Sequence, residues 1–231
     1  VSAVEKDPTS YEHVDPASVG NRRTIVVSDQ AGRSNLLARF REIGIEIDAR
    51  DERIADLVDL VKRREYDGYA YDGAEASFEL LARRALGEVP DFFRLQSFRV
   101  IDERRWNARD ELITLSEATI NLDVGSQSLM TVAEGNGPVN ALDIALRKAL
   151  VPAYPELEGL RLVDYKVRIL TPNDGTKAVT RVMIESIDGR GDRWTTVGVS
   201  ANVIDASYNA LHDSITYRLY RASIAAARDG R

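Results

Sequence analysis

The feature that most constrains the fold of this chain is a segment that occurs twice, 65 positions apart. The run Gly135-Asn-Gly-Pro-Val-Asn-Ala-Leu-Asp opens one stretch of helical periodicity, and Val199-Ser-Ala-Asn-Val-Ile-Asp-Ala-Ser opens another. The shift superposes apolar positions that face inward on a helix: Val139 on Ile204, Ala141 on Ala206, Ala145 on Ala210, Leu146 on Leu211 and Leu150 on Ile215. Self-similarity at a fixed period predicts a duplicated unit.

The stretches before these helices follow the same shift, which places Phe98 on Val163 and Val100 on Tyr165. Apolar and polar residues alternate from Val163 to Ile169, as expected of a half-buried strand. Chance similarity between two alanine-rich helices is the alternative. Because the strand phases agree as well, we expect a true duplication.

We therefore predict an α+β fold with the order βββα, βββα in repeats at about 92–151 and 160–227. The predicted strands and helices lie near 93–103, 111–121, 127–134 and 138–151, then near 160–170, 177–187, 193–201 and 203–227. Pro172-Asn-Asp-Gly175 and the run 186–192 are hairpin turn signals. Two antiparallel sheets with helices on one side, related by a pseudo-two-fold axis, would bury both apolar faces.

Helical periodicity dominates the chain before this region. One helix is expected between Gly32-Arg-Ser-Asn35 and Gly44, a second from about 50 to 64, and a third after Gly73. Gly87-Glu-Val-Pro90 closes the helical section, so residues 1–90 are predicted to form a connector subdomain and residues 91–231 the duplicated domain.

Composition narrows the classes of function. A formal net charge of −6 without a basic stripe argues against nucleic-acid binding. There are no cysteines, hence no disulfide framework or thiolate site, and a cytoplasmic location is expected. No apolar run approaches the roughly 18 residues of a membrane span. The chain begins at Val1, from which we expect a fragment of a longer protein.

The most promising binding feature is Gly135-Asn-Gly-Pro138. Its glycines allow close approach of a ligand, and the N–H groups of a helix start attract a carboxylate. An apolar pocket beside it is predicted from Leu162, Tyr165, Ile169, Ala178 and Thr180, with Asp164 or backbone carbonyls available for an ammonium group. The alternative is that this run is only a tight strand-to-helix turn.

Catalytic signals are weak. His13 and His212 are far apart in sequence, and no spacing typical of metal ligands or of a catalytic nucleophile is present. The chain by itself is not expected to catalyse a reaction or to bind a metal. A small complete enzyme remains the least favoured hypothesis.

Several runs in one order resemble the C-terminal part of the citramalate synthase family, relatives of 2-isopropylmalate synthase. The matching runs are Tyr11-Glu-His-Val-Asp-Pro16 with Val19-Gly-Asn21, Gly32-Arg-Ser-Asn35, Tyr71-Asp-Gly-Ala-Glu-Ala-Ser-Phe78, Gly135-Asn-Gly-Pro-Val-Asn-Ala141, Asp164-Tyr-Lys-Val-Arg-Ile169 and Val197-Gly-Val-Ser200. This resemblance implies a homodimeric regulatory domain. The catalytic TIM barrel, with its divalent metal and acetyl-CoA, would be missing from this chain.

By the same resemblance the domain binds an end-product amino acid, isoleucine in citramalate synthase or leucine in 2-isopropylmalate synthase. The implied effector residues are Gly135, Asn136, Gly137, Val139, Leu162, Tyr165, Ile169, Ala178, Thr180 and Ile204. Tyr11 would act near the active site of the partner subunit's barrel. The competing hypothesis is a purely structural dimerisation domain that binds no ligand.

Overall fold

A computed structural model describes residues 33–45, 47–48 and 51–229. The chain divides into two compact units, Val1–Asp72 and Gly73–Arg231. The first unit contains α1 (Arg33–Glu42) and α2 (Arg53–Tyr66), which contact each other. Ile54, Leu57 and Val61 are buried along one face of α2, as their helical spacing predicts. The predicted start of the first helix at Gly32 and the whole of residues 1–32 lie outside the described residues.

The second unit is α+β. It begins with α3 (Glu75–Ala85) and continues as β1 (Arg94–Trp106), β2 (Leu112–Val124), β3 (Gln127–Gly135), α4 (Pro138–Leu150), β4 (Arg161–Ile169), β5 (Thr180–Ile187), β6 (Arg193–Ser200) and α5 (Val203–Asp229). Strands β1–β3 form one antiparallel sheet in chain order, and β4–β6 form another. The predicted element order and the two three-stranded sheets are confirmed.

One hydrophobic core joins the two sheets with their helices. Helix α4 packs on β2 and β3, and α5 packs on β5 and β6. The alternation of β2 turns Ala118, Ile120 and Leu122 into this core, where they meet Leu142 and Leu146 of α4. Short 3₁₀ helices, Pro155–Leu157 and Pro172–Lys177, connect the repeats and the strands β4 and β5.

Helix α3 belongs to the second compact unit, since it packs against β6 and α5. Ser77 fixes this contact: its hydroxyl accepts the Val197 N–H at 3.0 Å and donates to Asp213 of α5 at 2.7 Å. The compact units thus divide after Asp72, whereas the sequence pattern predicts a domain boundary near residue 90. The domain organisation of the chain stays a prediction.

Equivalent contacts recur 65 residues apart at the end of each βββα run. The hydroxyl of Thr131 donates to the Ala145 carbonyl at 2.8 Å, and Thr196 donates to Ala210 at 2.8 Å. The first backbone bond of α4 joins Ala141 N–H to Gly137 at 3.0 Å, and that of α5 joins Ala206 N–H to Asn202 at 2.9 Å. These matches agree with the predicted period. The duplication and its pseudo-two-fold symmetry stay predictions.

The structure differs from the sequence alignment in the first strand of each copy. A register break leaves Gln96 of β1 and Val163 of β4 without a paired partner, so these two residues correspond. Phe98 then corresponds to Tyr165, and each faces a buried isoleucine, Ile120 or Ile184. The alignment of Phe98 with Val163 was wrong because the connections between strands differ in length.

The turn predicted at Pro172-Asn-Asp-Gly175 is also different in kind. Instead of a tight hairpin it is the 3₁₀ segment Pro172–Lys177, which delays the start of β5 to Thr180. The hydroxyl of Thr171 accepts the Val179 N–H at 2.9 Å and closes the loop.

Candidate functional site

The N-terminus of α4 lacks a side-chain cap. Gly137 is the N-cap in extended conformation, with φ −178° and ψ 167°, and Pro138 follows as the first helical residue. No side chain bonds the first N–H groups from the N-cap position. The carboxamide oxygen of Asn140 instead accepts the Asn136 N–H at 3.1 Å, which holds the approach to the helix. The helix start therefore offers unused donors to an anion.

The two glycines of this turn have different surroundings. A Cβ added to Gly135 would lie 2.5 Å from the Ala141 nitrogen, so glycine is required there because the strand passes close to its own helix. A Cβ added to Gly137 would meet no atom within 4 Å. Open space at Gly137 is compatible with the predicted approach of a ligand, which stays a prediction.

An open groove of about 460 Å³ lies beside the start of α4. One wall comes from α4 and the other from β4 and the residue before it. The lining residues are Val139, Asn140, Asp143, Arg147, Leu160, Arg161, Leu162 and Tyr165. The structure thus brings together three of the sequence-predicted residues, Val139, Leu162 and Tyr165, next to the predicted helix start.

The groove combines apolar and charged surfaces. Val139, Leu160 and Leu162 supply the apolar part. The Nε–H of Arg147 is shared between the two carboxylate oxygens of Asp143, each 3.0 Å away. The Tyr165 hydroxyl is tied to the Ser207 hydroxyl of α5 at 2.7 Å. Because Ser207 lies in the second βββα run, this bond connects the groove wall to that run.

The remaining predicted pocket residues do not line this groove. Ala178 and Thr180 are buried, Ile204 is partly buried against the core, and Ile169 at the end of β4 is 57% exposed. The carboxylate of Asp164 lies 2.6 Å from Lys166, and this hydrogen bond lowers the pKa of Asp164. Their predicted part in effector binding is untested, and Tyr11 lies outside the described residues.

Sequence reasoning missed the charged and polar part of the groove. Val139, Asp143 and Arg147 lie four residues apart and so share one face of α4. The helical repeat starting from Val139 was the available signal for this face. Asn140, Leu160 and Arg161 complete the lining.

Such a groove can bind a zwitterion with an apolar tail. A carboxylate fits the α4 N-terminus, beside the guanidinium group of Arg161, and an ammonium group fits Asp143. Within the described ranges, no cluster of three histidine, aspartate or glutamate side chains could hold a metal ion. None of the helices described combines the length and apolarity that a membrane span needs.

His212 and Asp213 of α5 form a separate polar cluster. The ring of His212 packs against Phe93 at 4.9 Å, and Asp213 accepts hydrogen bonds from Ser77 at 2.7 Å and Arg84 at 2.6 Å. Burial raises the pKa of Asp213, but the hydrogen bonds and the charge of Arg84 outweigh it, so the pKa is lowered overall. The cluster anchors α3 to α5.

Comparison with known proteins places these features in a family context. The family model described as "LeuA allosteric (dimerisation) domain" matches residues 72–219. The chain is 50% identical to an (R)-citramalate synthase of Geobacter sulfurreducens over 222 residues, which are 96% of this chain and 41% of that protein.

Two other relatives give the same picture. An (R)-citramalate synthase of Aquifex aeolicus is 50% identical over 220 residues, 95% of this chain and 41% of that protein. One of Sulfolobus acidocaldarius is 39% identical over 217 residues, 94% of this chain and 39% of that protein. The chain spans about two fifths of the length of these relatives. The resemblance found from the sequence runs is confirmed.

Proposed function

Because the chain belongs to the LeuA allosteric (dimerisation) domain family, we propose that it is the regulatory part of a citramalate synthase and binds isoleucine as feedback inhibitor. The observation that carries the proposal is the uncapped start of α4 at the end of a groove with both apolar and charged walls. The identity to (R)-citramalate synthases supports the choice of parent enzyme.

The amino-acid part of the effector is proposed to lie across the helix start. Its carboxylate accepts from the N–H groups at Val139 and Asn140, where the helix dipole favours negative charge. Its ammonium group faces Asp143, and its side chain lies against Leu160 and Leu162. Gly135 and Asn136, which are also proposed as effector residues, form the turn immediately before this helix start.

Leucine is the alternative effector, and a purely structural dimerisation domain is the alternative of another class. Isoleucine and leucine differ in the position of one methyl group, which in an apolar pocket is worth about 1–3 kcal/mol. The preference for isoleucine rests on the resemblance to citramalate synthases. Cytoplasmic location, assembly as a homodimer and a role of Tyr11 at the partner's active site are part of the same proposal.

Control of a distant active site requires only that isoleucine bind one conformation of the parent enzyme more tightly than another. In this proposal the catalytic barrel, with its divalent metal and acetyl-CoA, is contributed by the rest of the parent protein. The Tyr165–Ser207 hydrogen bond couples the groove to α5 and is one route for such a signal.

Isothermal titration calorimetry of the chain with isoleucine, leucine and valine in parallel tests the proposal. Saturable binding with isoleucine strongest supports it, and a preference for leucine assigns the domain to a 2-isopropylmalate synthase. Absence of binding by all three to a folded protein would favour the structural dimerisation domain.

A further inference from the structure

A second cavity lies apart from the α4 groove, between the β5–β6 turn and the C-terminal half of α5. Its volume is about 150 Å³, and its walls include Trp194 of β6 and Tyr217, Arg218 and Arg221 of α5. None of these residues has a part in the proposed effector site. The proposed function therefore leaves this cavity without a role.

The central residue of this cavity is Arg218, whose charge is incompletely compensated. Its side chain is only 14% exposed, and its Nε has no hydrogen-bond partner among the described residues. Asp188 is the nearest carboxylate, but its Oδ2 lies 3.6 Å from this Nε, too far for a hydrogen bond. A buried charge with one distant counter-charge is costly, and an anion beside the guanidinium group would offset it.

Asp188 cannot approach Arg218 more closely, because its other carboxylate oxygen, Oδ1, already accepts backbone hydrogen bonds. The Oδ1 atom accepts the backbone N–H groups of Arg190 at 2.8 Å and Asp192 at 3.0 Å, and these bonds shape the β5–β6 turn. The carboxylate is therefore fixed in the turn. An anion in the cavity would therefore add a second negative charge beside the Arg218 guanidinium group.

Two further guanidinium groups border the same cavity. Arg221 lies over the ring of Tyr217, with its Nη1 3.3 Å from the hydroxyl oxygen, while Arg193 is paired with Glu185 at 2.9 Å. Burial raises the pKa of Tyr217 to about 12, so its hydroxyl stays neutral at physiological pH. The lining thus contains three arginines and two aspartates. Its net charge is positive, although the formal net charge of the whole chain is −6.

We propose that this cavity is a second ligand site, which binds a small oxyanion, a phosphate or a small carboxylate, between Arg218 and Arg221. The planar guanidinium group matches both anions through paired hydrogen bonds. A cavity of about 150 Å³ holds a molecule of roughly the size of benzene, so the ligand is smaller than a branched-chain amino acid. The site is therefore distinct from the α4 groove in both place and ligand.

Tryptophan fluorescence offers a direct test, because the chain has two tryptophans and only Trp194 lines the cavity. Trp106 is 63% exposed on β1, and Trp106→Phe leaves Trp194 as the single reporter. The full 231-residue chain with this substitution is titrated with inorganic phosphate and, separately, with acetate at constant ionic strength. A saturable change in Trp194 emission with either anion is expected, and the anion that acts identifies the ligand class.

Arginine variants decide whether the response comes from this cavity. Arg218→Gln and Arg221→Gln should each weaken anion binding at least tenfold, whereas Arg104→Gln, the same charge change on β1, should not. Arg221 is exposed, so its variant tests the proposal even if Arg218→Gln fails to fold, which circular dichroism would detect. A linear response to both anions, or equal affinity in the arginine variants and the Arg104→Gln control, would overturn the proposal.

Discussion

The starts of α4 and α5 form the same first backbone hydrogen bond, but they differ in how their other N–H groups are satisfied. At α5 the carboxamide of Asn202 accepts the Ile204 N–H at 2.9 Å and reaches the Asp205 N–H at 3.5 Å. At α4 the equivalent residue is Gly137, which has no side chain to offer. The first N–H groups of α5 are capped by a side chain of the protein, whereas those of α4 are not and can bind a ligand.

From this difference we predict one binding site in the two βββα runs rather than two. The first backbone hydrogen bond of each helix is nearly the same length, 3.0 Å at α4 and 2.9 Å at α5. The residue type at the N-cap therefore decides whether the first N–H groups of the helix are capped by a side chain or can donate to a bound carboxylate. We expect the effector to bind at α4 and not at α5.

The largest losses of stability are expected from substitution of the glycines at which a strand passes closest to its helix. Gly135→Val should destabilise the fold by about 3 kcal/mol or more, since its Cβ would lie 2.5 Å from the Ala141 nitrogen. Gly198→Ala should be comparably severe because its Cβ would overlap the Ala206 carbonyl oxygen. Urea unfolding measures both, and Gly137→Val is the matched control.

Gly137→Val should cost under about 1 kcal/mol of stability, because a Cβ there meets open space. The same variant is expected to lose isoleucine binding by crowding the helix start. Unchanged binding in this folded variant would show that the α4 start is not part of the effector site.

The anchor of α5 to α3 should give the next largest effect. The Asp213 carboxylate of α5 accepts hydrogen bonds from Ser77 and Arg84 of α3. Asp213→Asn should cost about 2 kcal/mol at neutral pH, because it weakens the hydrogen bonds that the carboxylate accepts from Ser77 and from the partly exposed Arg84. Thermal unfolding checks this value, with Asp205→Asn near the start of α5 as control.

The same anchor predicts a pH dependence. The pKa of Asp213 in the folded state is lowered from its ordinary value of 3.8, so its ionised form stabilises the fold above that pH. This stabilisation is lost as the pH falls through the lowered folded-state pKa. The stability of the wild-type protein should drop below about pH 4, and the drop should be shallower in Asp213→Asn. Equal slopes in both proteins would show that another group is responsible.

Transfer of the α5 cap to α4 should change stability less than loss of the Asp213 anchor, but it should act directly on effector binding. In Gly137→Asn the extended N-cap backbone allows the new carboxamide to bond the start of α4, as Asn202 does at α5. Stability should rise by a few tenths of a kcal/mol, and isoleucine affinity should fall about tenfold because the donors are occupied. Calorimetry measures the affinity, and Gly137→Ala is the control without a cap.

The smallest effect on effector binding is expected from removal of the existing cap. Asn202→Ala should destabilise the protein by about 1 kcal/mol through loss of two hydrogen bonds at the start of α5. It should leave isoleucine affinity unchanged. A large change in affinity would mean that the start of α5 also belongs to the site.

The parts of the fold that follow local periodicity could be predicted from the sequence. The alternation from Val163 to Ile169 and the helical spacing from Val139 to Leu150 gave the order and nearly the bounds of β4 and α4. The bulge at Val163 and the 3₁₀ segment Pro172–Lys177 could not, since both depend on how neighbouring strands pair.

The candidate site, too, could be predicted only where its residues have a local sequence signal. The helix start at Gly137 has a local signal, and it lies beside the groove as expected. Asp143 and Arg147 were not predicted, because charged residues on an amphipathic helix usually face solvent and only the position of β4 beside α4 makes them line a groove. The role of Gly135 was missed because it depends on a close approach between β3 and α4, which no spacing in the sequence encodes.

Binding of the effector at only one of the two helix starts is tested most directly by following both in one experiment. Amide resonances of Val139 and Asn140 at α4, and of Ile204 and Asp205 at α5, are followed by nuclear magnetic resonance while isoleucine is added. Binding at α4 alone predicts saturable shifts for Val139 and Asn140 and none for Ile204 and Asp205. Equal shifts at both helix starts, or no shift at Val139 and Asn140 when isoleucine is saturating, would contradict it.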